Sequence, residues 1–87
     1  MNQSYTKAER AHLERVKSLP CSVCDLPGPS EAHHCEQSQA WTCVALCESC
    51  HRGPINGWHG QRRAWKLRKL DELGALNITI KRLMEQT

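Results

Sequence analysis

Two cysteine pairs stand at the spacing that zinc requires: Cys21-Ser-Val-Cys24 and Cys47-Glu-Ser-Cys50, separated by residues 25–46. Each C-x2-C turn offers two thiolates on one side. Zinc takes four soft ligands in a tetrahedron, so the spacing predicts a closed Cys21/Cys24/Cys47/Cys50 zinc site. Four protein ligands leave no coordination position for a reactant, which makes the predicted zinc structural. A disulfide scaffold would need an oxidising compartment, and no apolar secretory segment follows Met1. Cys35 and Cys43 remain; they read as small buried residues rather than as a disulfide.

The histidines carry the second chemical possibility. Glu31-Ala-His33-His34 lies between the two cysteine pairs, His51 follows Cys50 directly, and His59 lies further on. Adjacent residues of a strand point to opposite faces, so His33 and His34 take different jobs, one binding a metal and the other addressing a water. Four histidines around a zinc hub predict that at least two form a second metal site. His12, remote from the others, reads as an ordinary surface residue. Arg62, Arg63, Lys66, Arg68 and Lys69 lie between Gln61 and Leu70 with no acid among them. Such a block fits phosphate contact or a solvated helix face.

These residues need a frame, and the chain is short. Eighty-seven residues predict one domain, residues 1–87, with no room for a separate cofactor domain. The 39% apolar content includes six cysteines and no Phe, so the core is small and a metal staple is expected. The formal charge is only +3, and no apolar run is long enough to span a bilayer. The pattern is α+β. Residues 1–5 read as a loose terminus. Thr6 and Glu9 form a T-x-x-E capping box opening a helix to about Ser18, with Leu13 and Val16 on its apolar face and Leu19-Pro20 ending it. Strands are expected from Glu31 to about Glu36 and from about Thr42 to Leu46, joined by the polar stretch 37–40. Arg52–Gly57 reads as a loop. From Gln61 onward Leu67, Leu70, Leu73, Leu76, Ile80, Leu83 and Met84 make one helical apolar stripe, with a break near Gly74–Asn77. Trp58 and Trp65 read as core.

The order Cys21-Ser-Val-Cys24, then Ala32-His33-His34, then Leu46-Cys47-Glu-Ser-Cys50-His51 resembles the HNH endonucleases with a ββα-metal fold. Within them it is similar to the phage recombination-enhancement, RecA-dependent nucleases. That likeness rests on Thr6-Lys-Ala-Glu-Arg-Ala-His-Leu-Glu-Arg-Val16, Glu31-Ala-His-His34, and Cys50-His-Arg-Gly-Pro54 continuing to His59-Gly60, and covers most of residues 6–66. The resemblance implies an N-terminal helix at 6–18, zinc knuckles and an HNH hairpin at 21–60, and a basic helical region at 61–86. It implies His34 as general base and His33, His51 and His59 as ligands of a second divalent ion (Zn, Mn, Co, Ni or Mg). It further implies DNA hydrolysis to 5′-phosphate and 3′-hydroxyl ends, with Arg62, Arg63 and Lys66 on flanking phosphates. DNA and a recombinase such as RecA are the implied partners, and the bacterial cytoplasm, with a phage or prophage gene, the implied setting. The slot that holds Asn in the HNH pattern holds Thr42 here. The competing reading is a non-catalytic zinc module that grips DNA or a protein.

Overall fold

The computed structural model describes residues 4–86. The chain runs α1 (Lys7–Lys17), β1 (Glu31–His34), β2 (Cys43–Leu46), α2 (Glu48–Arg52), α3 (Arg63–Leu67) and α4 (Glu72–Glu85), an α+β arrangement. The capping box forms: Glu9 N–H donates to Thr6 Oγ1 at 3.0 Å, and Thr6 N–H donates to Glu9 Oε1 at 2.8 Å. The strands pair antiparallel, with Glu31 opposite Leu46 and His34 opposite Cys43. Among the described residues no helix is long and apolar enough to cross a membrane.

β2 is the centre of the molecule, and all four of its residues are buried. Alternation along a strand sends its side chains to two faces. Val44 and Leu46 face a core of Cys21, Val23, Cys47, Cys50, Ala64, Trp65 and Ala75. Cys43 and Ala45 face a second core built on Leu13, Val16 and Leu19 from the N-terminal side and Leu83 of α4. This explains an unbroken apolar Cys-Val-Ala-Leu run where a one-sided hairpin would alternate.

The outer edge of β2 is closed by the Ser22 backbone and the Thr79 side chain. Cys35 N–H donates to the Thr42 carbonyl, so antiparallel alternation turns the N–H and C=O of Ala45 away from β1. Ser22 N–H donates to the Ala45 carbonyl at 2.9 Å, and Ala45 N–H donates to Thr79 Oγ1 at 3.3 Å. Thr79 also shares a 2.7 Å hydrogen bond with Ser22 Oγ. Arg82 reaches the Pro20 and Cys21 carbonyls and pairs with Asp25. Helix α4 is thereby fastened to both the first knuckle and the sheet.

Four expectations are corrected. The helical break lies at residues 68–71, not at Gly74–Asn77. Lys69 adopts a left-handed φ of 53°, and Asp71 caps α4 by accepting the Gly74 N–H at 2.8 Å, which places Gly74 inside the first turn. The large apolar residues do not form one buried stripe. α4 buries Ala75, Thr79 and Leu83 because it packs closely on β2, and Leu67, Leu73, Ile80 and Met84 are exposed. His12 is half-buried, its ring 4.8 Å from that of Trp41 and its Nε2 without a hydrogen-bond partner among the described residues. The loose terminus expected over 1–5 falls partly on residues 1–3, outside the described residues, while Tyr5 is tied down by its hydroxyl, 3.1 Å from His34 Nε2.

Candidate metal centre

The four knuckle cysteines converge: one sulfur from each of Cys21, Cys24, Cys47 and Cys50 lies within 4.8 Å of the others. Cys24 Sγ and Cys47 Sγ are 3.7 Å apart. With zinc–sulfur bonds of about 2.3 Å, the edge of a sulfur tetrahedron is about 3.8 Å, so the spacing suits zinc. All six cysteines are free of disulfides. Local backbone explains the grip. Asp25 takes a left-handed φ of 64° and returns its N–H to the Cys21 carbonyl, closing the first turn. Val23 N–H donates to Cys21 Sγ and Cys50 N–H to Cys47 Sγ. Burial acts to raise the Cys21 thiol, but backbone N–H groups of Cys24, Cys47 and Val23 hold it below its ordinary value. Burial pushes the Cys47 and Cys50 thiols up, and for Cys50 the neighbouring sulfurs add to it. A bound dication would compensate the thiolates that such a sulfur cluster presents. The cluster could therefore hold a structural metal such as zinc.

Beyond Cys50 the chain folds back on itself. Trp65 Nε1–H donates to the Cys50 carbonyl at 2.8 Å, and Trp58 N–H donates to the same carbonyl at 2.9 Å. His59 N–H donates to the His51 carbonyl at 3.2 Å, which sets the two histidines side by side. Two glycines permit this reversal. A Cβ on Gly57 would sit 2.5 Å from the Gly53 carbonyl oxygen, and one on Gly60 would meet the Gly53 and Pro54 oxygens at the same distance.

His33, on β1, completes a triangle. Its ring centroid is 5.1 Å from that of His51 and 5.2 Å from that of His59, and His51 and His59 are 5.2 Å apart. One nitrogen from each lies within 4.8 Å of the others. Three imidazoles bound tetrahedrally at about 2.05 Å, each nitrogen about 1.15 Å from its centroid, place their centroids about 5.2 Å apart. The trio therefore has the spacing of a three-histidine ligand set with open positions. The sequence left the ranking of His51 and His59 open, and the fold brings both to nearly the same distance from His33.

His34 stands outside the trio, yet it borders the same cleft of about 510 Å³, whose lining includes His33, His51 and His59. His33 is 3% exposed. Burial lowers its pKa, with the hydrogen bond to Glu72 opposing, a shift toward the neutral ring. Arg52 donates two hydrogen bonds to Glu31, at 3.1 and 2.6 Å, and His51 Nδ1 adds a third at 2.8 Å. These hold the Glu31 carboxyl below the usual carboxylate range.

The basic block divides. Arg62 lies with its guanidinium 3.7 Å from the centre of the Trp58 ring and donates from Nε to the Trp58 carbonyl at 2.7 Å. Arg63 and Lys66 are exposed on α3. Trp65 is a core residue, as expected, while Trp58 is half-buried against it.

Sequence reasoning missed Glu31, Glu72 and Tyr5. Glu31 carried a signal: it precedes His33 by two on a strand and so shares its face. Glu72 lies far along the chain from His33 and carried none. No family model, curated protein or solved structure matches the chain.

Proposed function

We propose that the chain is a metal-dependent DNA endonuclease of the HNH, ββα-metal type. The observation that carries this reading is the meeting of His33, His51 and His59 in one cleft with His34 at its side. A structural four-cysteine module has no use for that second set. A divalent ion bound by the three imidazoles would supply Lewis acidity at the phosphate and at the leaving oxygen. An all-nitrogen ligand set suits Zn, Mn, Co or Ni better than Mg.

The chain's own residues do the rest. Tyr5 engages Nε2 of His34. In the tautomer protonated at Nε2, that nitrogen donates to the Tyr5 oxygen and Nδ1 carries the lone pair. Nδ1 takes the proton of the attacking water as the water oxygen bonds to phosphorus, and the bond to the 3′-oxygen breaks. The leaving oxygen is protonated from solvent, giving 5′-phosphate and 3′-hydroxyl ends. Arg63 and Lys66, exposed on α3, hold neighbouring phosphates, while Arg62 is committed to Trp58. The proposed setting is phage or prophage DNA recombination in a bacterial cytoplasm, with a recombinase such as RecA as partner.

The test is cleavage of supercoiled plasmid by the zinc-loaded chain with Mn, Co, Ni or Mg added. His34→Ala should reduce cleavage by about 100-fold or more, the usual scale for a lost general base, while zinc content and circular dichroism stay unchanged. Undiminished cleavage in that variant removes the assigned base; DNA binding without cleavage in the wild type favours the inert module.

A further inference from the structure

We propose that Glu72, at the start of α4, is a positioning residue that aims His33 at the second metal, an inference that rests on the three-histidine reading above. Glu72 Oε2 lies 2.6 Å from His33 Nε2, although the two residues are 39 apart in sequence. The His33 side chain is 4% exposed and that of Glu72 29%. An ionised carboxylate can only accept, so His33 Nε2 carries the hydrogen and Nδ1 is left with the lone pair. Glu31 does the mirror-image service for His51, accepting from Nδ1 at 2.8 Å and leaving Nε2 to ligate. Two carboxylates from different elements therefore fix two tautomers. Such partners orient metal-bound imidazoles and raise their basicity.

Glu72 owes its place to the rest of the fold. α4 is held by Thr79 on Ser22 and the β2 edge and by Arg82 on the first knuckle. The cysteine cluster and the histidine trio are thus joined through one helix. A rival geometry exists. His33, Cys35 and Glu72 also bring one donor atom each within 4.8 Å, which would put an ion on the Nε2 side of His33 with Glu72 as a ligand.

The experiment titrates the chain, its cysteine cluster already filled with zinc, with Co²⁺ and follows visible d–d absorbance. Wild type should take up one Co²⁺. Glu72→Gln should weaken that uptake by about 10-fold or more, with band positions kept, because the ligands are unchanged. In a His33→Ala background, Glu72→Gln should have no further effect, which separates positioning from a general loss of stability. Glu72→Gln with unchanged Co²⁺ affinity overturns the proposal and leaves the trio standing. A thiolate-to-cobalt band that disappears in Cys35→Ser overturns it by making Glu72 a ligand. Absence of any Co²⁺ uptake by the wild type overturns the trio as a metal site, and the role of Glu72 with it.

Discussion

Replacing Thr79 by valine removes one hydroxyl from a fully buried position while nearly preserving side-chain shape. That hydroxyl accepts the Ala45 N–H at 3.3 Å, bonds Ser22 Oγ at 2.7 Å and bonds the Ala75 carbonyl at 3.0 Å. In a helix the Ala75 carbonyl keeps its backbone partner, so it loses little. Ala45 is 0% exposed and Ser22 3%, so neither group left behind can turn to water. An unsatisfied buried donor or acceptor costs about 1–3 kcal/mol, and two of them, less about 0.8 kcal/mol for one extra buried methyl, give a net loss of about 1–5 kcal/mol. Urea unfolding of the zinc-saturated protein, followed by tryptophan fluorescence, measures it. Adding Ser22→Ala to Thr79→Val removes one orphaned group and should restore about 1 kcal/mol. A loss below about 0.5 kcal/mol for the single variant would refute the claim that these side chains seal the β2 edge.

Burial, with Cys35 nearby, pushes the Cys43 thiol up from 9.0 to about 11. The unfolded chain then ionises first as pH rises, so stability is complete below about pH 9 and falls by about 1.4 kcal/mol per unit from there to about pH 11. Urea unfolding of Cys43→Val should lack this part of the alkaline slope, and equal slopes would show that Cys43 is not shielded. If α3 lies on phosphates, Lys66→Gln should flatten the dependence of log affinity on log salt by about one, measured by DNA titration at several salt concentrations. An unchanged slope would assign Lys66 to solvent.

What was legible in the sequence was local. The Thr6 cap, the two knuckles and the hairpin each rest on residues a few positions apart, where turn chemistry and alternation act directly. The histidines were legible as types, but their convergence depends on the reversal at Gly57 and Gly60, whose tightness comes from carbonyls of Gly53 and Pro54 meeting them in space. The reading of α4 failed for a physical reason. Hydrophobicity alone marks the large apolar residues as the buried face, whereas close packing on β2 selects Ala75 and Thr79 and leaves Leu73 and Met84 73% and 76% exposed. Gly74 has the chemistry of a breaker, but the break belongs to left-handed Lys69 and the Asp71 cap. The sequence marks Arg62 as basic but does not mark its stacking on Trp58, whose face lies four residues away. No sequence pattern links Glu72 to His33, because only the docking of α4 brings them together.

If the proposal holds, one small domain gathers two separate ligand sets, four thiolates and three imidazoles. Metal content per chain, measured by elemental analysis after zinc saturation and removal of loosely held ions, tests it most directly. Two ions are expected in the wild type and one in His51→Ala with the fold retained. One ion in the wild type, or two kept by His51→Ala, would contradict it.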